Sequence, residues 1–426
     1  MPGTFRFRSL GPLLAALFVS VGVAKGQSIS KPYAAIDRNA VNYAGPGRET
    51  GHDLTGPVVK IGLLVPQAGP RKSEGQALLE AAQMALEDEA SNPFAKDRKL
   101  ALVMGDESGP WGRVSSEVVR LIYEEEAVAL ITSAEGGSAH LAEQVGNKIG
   151  VPIVTLSTDD TTTQINLPWI FRLGPSDTAQ AKLFAEDIYR HHRLGKVVLV
   201  VEDDHDGRVG GEEFAKAAKE LPAPGAPSPA FTRFVVRPSP GAVDGFLREV
   251  LPQNPEAIVL WTGADVAATL LPALRQEAPG TRVYLCRKAA QGLAGLSSPG
   301  QCTNCSNPEV RNLRSDSEAG RDSPNTRQGG VWIVASSSEE DSRQAAFDRR
   351  YMERTGGSPT LAARQSYDAV RIIAKALRQS GANRVRLRDA LAEISNYAGA
   401  SGLISFDHAG NDLAPTSLVR LSDERR

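Results

Sequence analysis

Runs of Val, Ile and Leu recur along this chain, with segments of helical spacing standing between them. The runs are VVKIGLLV (58–65), LALVMGD (100–106), AVALITS (127–133), VPIVTLS (151–157), KVVLVVED (196–203), AIVLWTG (257–263), RVYLC (282–286) and GVWIVAS (330–336). Successive residues of a strand point to opposite faces, so uninterrupted apolar runs are buried on both sides, as in a parallel sheet covered by helices. GRVSSEVVRLIYEEE (112–126) and DTAQAKLFAEDIYRHH (177–192) place apolar residues three and four apart, the helical period. Strand and helix in alternation predict an α/β fold built from right-handed βαβ units with parallel central sheets.

There are too many units for one sheet of ordinary size. WIFRLGPSDTAQ (169–180) breaks the pattern with a short strand ending in Gly-Pro and marks a crossing between two lobes. A second crossing is expected after GVWIVASSSEED (330–341) and a third near SGLISFDHAGND (401–412). The expected first lobe is therefore 57–174 plus 337–402, and the second 175–336 plus 403–426. Residues 289–327, rich in Ser, Gly, Asn and Pro, read as a surface insertion, and 27–56 as a loose N-terminal arm. A length of 426 residues suits two domains, and a net charge of -2 does not call for nucleic acid.

The N-terminus sets Arg6 and Arg8 ahead of an apolar stretch from Leu10 to Ala24 that ends in small residues. The stretch is short of the roughly 20 residues that span a bilayer, so residues 1–26 read as a cleaved secretory signal peptide and the protein as periplasmic or extracellular. In an exported chain, Cys302 and Cys305 of CTNC read as a local disulfide in an exposed loop rather than a metal site.

Tests for chemistry mostly fail. QAGPRKSEGQ (67–76) has neither dinucleotide nor phosphate-loop glycine spacing, and GGSAH (136–140) breaks the nucleophile-elbow pattern at His140. In EDDHDGRVGGEE (202–213), Glu202, Asp204, Asp206, Gly207 and Glu213 match positions 1, 3, 5, 6 and 12 of a calcium loop. The competing account is a solvated turn from strand to helix whose acids favour the helix N-terminus. The expectation is no catalytic residue, no metal and no cofactor.

The ordered segments VKIGLLVPQAGPRKSEG, EEEAVALITS, GGSAHLAEQVGNKIGVPIVTLSTDDTTT, WIFRLGPSDTAQA, VVLVVEDDHDGRVGGEEF, SYDAVRIIAKAL and SGLISFDHAGN together resemble the leucine/isoleucine/valine-binding protein family, the type I periplasmic receptors of ABC importers. The resemblance covers roughly 57 to 420. It implies two Rossmann-like lobes joined by three hinge crossings, with a ligand held between facing helix N-termini. It places a carboxylate-binding half at Gly136, Gly137, Ser138, Ser157 and Thr158. On the other half it sets Glu74 and Asp206 where the family usually offers aromatics, and Arg287 where the family's acid meets a ligand ammonium. Trp261 is a candidate cleft wall or simply core. Arg287 is expected either to meet an acidic ligand group or to latch across the cleft mouth to Glu74.

The function so implied is an extracytoplasmic solute-binding protein that captures a small polar, amino-acid-like or carboxylate-bearing ligand. Its partner is an ABC transporter permease, which is its sole connection to the membrane. The alternatives are a ligand sensor or cell-envelope assembly module of the same fold, and a secreted calcium-dependent hydrolase.

Overall fold

A computed structural model describes residues 53–91, 98–164, 169–221, 229–237, 242–291, 329–336 and 342–421. The expected signal peptide, the Cys302–Cys305 pair and nearly all of the 289–327 insertion lie outside these residues. The chain begins β1 (Val58–Val65), α1 (Lys72–Ala90), β2 (Lys99–Asp106), α2 (Trp111–Val119), β3 (Ala129–Thr132), α3 (Gly136–Ile149), β4 (Ile153–Thr155), α4 (Thr161–Gln164) and β5 (Ile170–Arg172). It continues α5 (Asp177–Ala185), β6 (Val197–Glu202), α6 (His205–Glu220), β7 (Thr232–Val236), α7 (Ala242–Val250), β8 (Ala257–Trp261), α8 (Ala264–Glu277), β9 (Arg282–Leu285), α9 (Arg287–Ala290) and β10 (Gly330–Ser336). Last come α10 (Ser342–Thr355), α11 (Leu361–Ser380), α12 (Arg384–Ala392), β11 (Tyr397–Ala398), β12 (Leu403–Ile404) and β13 (Thr416–Leu421).

Two sheets result, one per lobe. The first, in the order β2-β1-β3-β4-β5, is wholly parallel. The second runs β13-β10-β9-β8-β6-β7 and is parallel except for β13, which pairs antiparallel with β10. Seven of the eight apolar runs of the sequence are inner strands of these sheets, and the eighth, LALVMGD, is β2 at the edge of the first. Along β1, Val59, Ile61, Leu63 and Val65 enter a core shared with α11, while Leu64 enters the core on the opposite face with Val114 and Leu121. Gly62 shares the Leu64 face because a Cβ there would lie 2.5 Å from the Leu130 side chain.

The chain crosses between the lobes three times: after β5, after β10 and before β13. The last crossing comes later than the expected 402/403 junction, since Ile404 and Phe406 are buried in the first-lobe core. Two crossings run side by side. The Arg172 N–H donates to the Gly410 carbonyl at 2.8 Å, and the Gly174 N–H donates to the Asp412 carboxylate at 3.0 Å. Gly174 has φ +97 and Gly410 φ +85, left-handed values that favour glycine.

Candidate functional site

A cleft of about 490 Å³ lies between the lobes, at the carboxyl ends of both parallel sheets. In the first sheet the connections reverse direction between β1 and β3, and in the second between β6 and β8. Such switch points leave a crevice where loops part to either side. Residues following these strands line the cleft: Pro66 and Ala68 to Arg71 after β1, Ala134 and Glu135 after β3, Asp204 after β6, and Gly263 to Val266 after β8. Helix starts accompany them, because each strand turns directly into its helix.

The lining is small, polar and acidic. Among the described lining residues, Glu74, Glu107, Glu135, Glu202, Asp204 and Asp265 carry carboxylates, Arg71 and Lys288 carry the cations, and none is aromatic. Arg71 bonds Glu74 at 2.8 Å, Glu135 at 2.7 Å and Glu107 at 3.1 Å, all in the first lobe. From the second lobe, the Lys288 ammonium donates to Asp206 at 2.6 Å, Asp204 at 3.1 Å and Glu135 at 3.0 Å. Glu135 therefore joins the two cations across the gap.

Burial would weaken the Lys288 charge, but Asp206, Glu135 and Asp204 hold its pKa well above the ordinary value. Burial pushes the Glu107 carboxyl up to about 7, against the opposing pull of Arg71 and the Ser133 hydroxyl. Its Oε1 accepts from Ser133 at 2.6 Å, while its buried Oε2 has no partner among the described residues. Glu202 is also raised by burial, and it accepts the Gly263 N–H at 2.6 Å.

Of the residues expected at the site, Glu74 lines the cleft and Asp206 stands behind Lys288. Gly136 lies at the lobe boundary, where its N–H donates to Asp206 at 3.1 Å. Ser138 is buried inside the first turn of α3 and does not cap it, since Glu135 occupies the cap position. Gly137, Ser157 and Thr158 are also absent from the lining: the Ser157 hydroxyl accepts the Asp159 N–H, and the Thr158 hydroxyl donates to Asp177 at 2.7 Å.

Arg287 is outside the cleft. It is 2% exposed, with Nη1 donating to the Val334 carbonyl at 3.3 Å and its guanidinium packed beside Gly174 of the crossing. A latch to Glu74 does not form, because Glu74 is engaged by Arg71 and successive residues of a helix turn by about 100°. That turn sends Lys288 into the cleft and Arg287 toward the hinge. Trp261 is core: it is 2% exposed, meets Phe184 edge-on, and lies under α6 where a Cβ on Gly210 would sit 1.7 Å from its Nε1. The calcium-like run forms no loop, since it is helical from His205, with Asp204 capping the Gly207 N–H.

The cleft residues not anticipated are Arg71, Glu107, Glu135 and Lys288. The available signal was their position, one to six residues beyond the end of an apolar run.

A model of the periplasmic binding protein family matches residues 58–420. The chain belongs to that family. Solved binding proteins share its architecture. The leucine-binding protein LivK of Thermotoga maritima is 18% identical with a TM-score of 0.67, over 86% of this chain and 96% of the other. A solute-binding protein of an ABC transporter from R. palustris, in complex with benzoate, is 17% identical with a TM-score of 0.69, over 86% of this chain and 94% of the other. Among curated proteins, glutamate receptor 3.4 of Arabidopsis thaliana is 27% identical over 153 residues, which is 34% of this chain and 16% of the receptor. This periplasmic binding protein thus shares two lobes and an interlobe cleft with proteins whose ligands differ.

Proposed function

We propose that this protein is an exported solute-binding protein that closes on a small, amino-acid-like solute bearing an ammonium group and presents it to an ABC importer. The observation that carries this reading is the interlobe cleft with six carboxylates against two cations. An ammonium group entering there relieves repulsion between Glu202 and Asp204, and the Glu107 carboxyl, which burial pushes up to about 7, offers a buried polar group. The small side chains among the described lining residues suit a compact polar molecule. Closure follows from differential affinity: a solute touching both lobes favours the state in which both are within reach. No bond chemistry is required. Leucine, in the name of the Thermotoga neighbour, also carries an ammonium group, which supports this class of ligand.

A thermal-shift screen tests the reading. A ligand at a hundred times its Kd stabilises by about 2.7 kcal/mol, so amino acids or amines raise the melting temperature while dicarboxylates and sugars leave it unchanged. Stabilisation by dicarboxylates alone sinks the ligand class. The likeness to a segment of a plant receptor favours a second reading, a ligand sensor of the same fold. A permease encoded beside the gene, with uptake lost on its deletion, decides against the sensor.

A further inference from the structure

Among the described residues, two clusters of metal-ligating side chains lie on the boundary between the lobes. In the first, Glu135, Asp204 and Asp206 already surround a cation of the chain itself, Lys288. The second lies outside the cleft lining and joins His140 and Asp159 of the first lobe to His205 of the second, with their ligand atoms within 4.8 Å of one another.

Both imidazoles set Nε2 against one oxygen, Asp159 Oδ2, at 3.1 Å from His140 and 2.7 Å from His205, and His140 Nε2 also meets the Thr161 hydroxyl at 2.8 Å. The other oxygen, Oδ1, is fixed by the N–H and hydroxyl of Thr161 at 2.8 and 2.7 Å. The far nitrogen of His140, Nδ1, faces the buried Glu143 carboxylate at 3.0 Å. Gly136 makes room for the group, since a Cβ there would come 3.1 Å from Asp159 Oδ2 and 3.2 Å from the His205 ring.

We propose that His140 Nε2, His205 Nε2 and Asp159 Oδ2 bind one divalent first-row transition ion, such as Zn²⁺, that ties the two lobes together. Two imidazoles and one carboxylate suit zinc and its neighbours, whereas calcium and magnesium take oxygen ligands. Zinc bonds of about 2.0 Å set ligand atoms about 3.3 Å apart in a tetrahedron, so the His205–Asp159 pair, at 2.7 Å, opens by about 0.6 Å and the two imidazole nitrogens, within 4.8 Å of each other, settle at the same spacing as the ion enters. A carboxylate on Nδ1 selects the tautomer whose Nε2 lone pair points inward, and such partners hold metal-ligating histidines in place. One further position stays open to water. Because His205 comes from the opposite lobe, an ion held by all three favours closure whatever solute occupies the cleft.

The rival account of the same geometry is a hydrogen-bonded cluster, each Nε2–H donating to Asp159. On metal binding an imidazolium loses its Nε2 proton to solvent, a neutral ring protonated at Nε2 moves that proton to Nδ1 by way of solvent, and the freed lone pair becomes the ligand, so binding to the protonated site releases protons and tightens as pH rises.

The test is calorimetric titration of untagged, chelator-stripped protein with ZnCl2 at two pH values, with melting curves and CoCl2 absorption spectra alongside. The expected result is one equivalent of zinc, a raised melting temperature and visible bands from nitrogen-ligated cobalt. His140→Ala and His205→Ala each weaken zinc binding at least about 100-fold, and Glu143→Gln weakens it roughly 10- to 100-fold. A double variant, His191→Ala with His192→Ala, binds as the parent does, because those residues face Asp187 elsewhere. Absence of zinc binding by the parent protein overturns the proposal, as does zinc affinity unchanged from the parent in His140→Ala and His205→Ala. Metal-free melting curves of each variant separate lost folding from lost ligands, and Glu143→Gln reports on the site with all three ligands intact.

Discussion

The Asp206 carboxylate, in the first turn of α6, accepts the backbone N–H of Gly136, the first residue of α3 in the opposite lobe, at 3.1 Å. A helix start carries partial positive charge and unpaired N–H groups, so it seeks an anion. Here the chain supplies one, and Lys288 offsets its charge from the other side at 2.6 Å. The place where the resemblance puts a ligand carboxylate is thus taken by the protein's own.

This contact makes Asp206 a closure residue. Charged hydrogen bonds of this kind contribute about 1.5–3 kcal/mol, so Asp206→Ala shifts the solute-free protein toward the open arrangement by roughly 10- to 100-fold. Small-angle scattering of the solute-free variant then gives a larger radius of gyration than the parent, and saturating solute narrows the gap. Superimposable curves for the two proteins contradict the role.

Glu107 gives a pH dependence with a definite sign. Its folded-state pKa of about 7 lies above the ordinary 4.5 because burial disfavours the charge. The folded protein therefore binds more protons than the unfolded chain between those values. This contribution is fully present below pH 4.5 and is lost as pH rises through 7, with a size of about 3 kcal/mol. In urea unfolding at pH 4.5, 6 and 8, the difference between parent and Glu107→Gln shifts over that window in favour of the glutamine. A difference that stays flat with pH rejects the assignment.

Much of the fold was legible because burial on both faces leaves an unmistakable pattern. VVLVVE of β6 and AIVLW of β8 are inner strands, and their apolar runs admit few other readings. The edge strands β7 and β13 were not legible. Three of the five residues of β7 are exposed and none of the six of β13 is fully buried, so the apolar signal thins to TRFVV and TSLVRL. The site was legible in its location, beyond the strand ends, but not residue by residue. Arg287 and Lys288 are adjacent cations, and the turn of α9 that sends one to the hinge and the other to the cleft leaves no mark in composition. The pairing of Asp206 with Gly136 depends on how the lobes meet, 70 residues apart in sequence.

Two glycines separate packing from function. At Gly210 a Cβ would fall 1.7 Å from the buried Trp261 ring, so Gly210→Ala overpacks the second-lobe core by about 2 kcal/mol and lowers the melting temperature by about 4–8 °C. At Gly137 nothing lies within 4 Å of a Cβ. Gly137→Ala is neutral or gains up to about 1 kcal/mol from a less flexible unfolded chain, and solute affinity is unchanged. Equal melting temperatures for the two variants refute the packing account, and lost affinity in Gly137→Ala returns that residue to the ligand site.

Arg287 presents the opposite situation, a buried charge that is poorly satisfied. Burial lowers its pKa to about 10, with Asp412 the charge that opposes the fall, and Nη2 has no partner among the described residues. Asp412 does not depend on the guanidinium, since its carboxylate accepts N–H groups from Gly174, Ser405 and Ala414. Replacing an imperfectly paired buried ion by an apolar side chain of similar length is often neutral or stabilising. Arg287→Met therefore keeps or raises the urea midpoint, by up to about 2 kcal/mol in stability, and leaves solute affinity intact because the residue does not line the cleft. Lys288→Met does the reverse: it strands Asp204 and Asp206 without their cation, leaves Glu135 to Arg71 alone, costs about 3–5 kcal/mol and weakens solute binding. If Arg287→Met abolishes binding while Lys288→Met leaves it untouched, the two side chains have been given each other's roles.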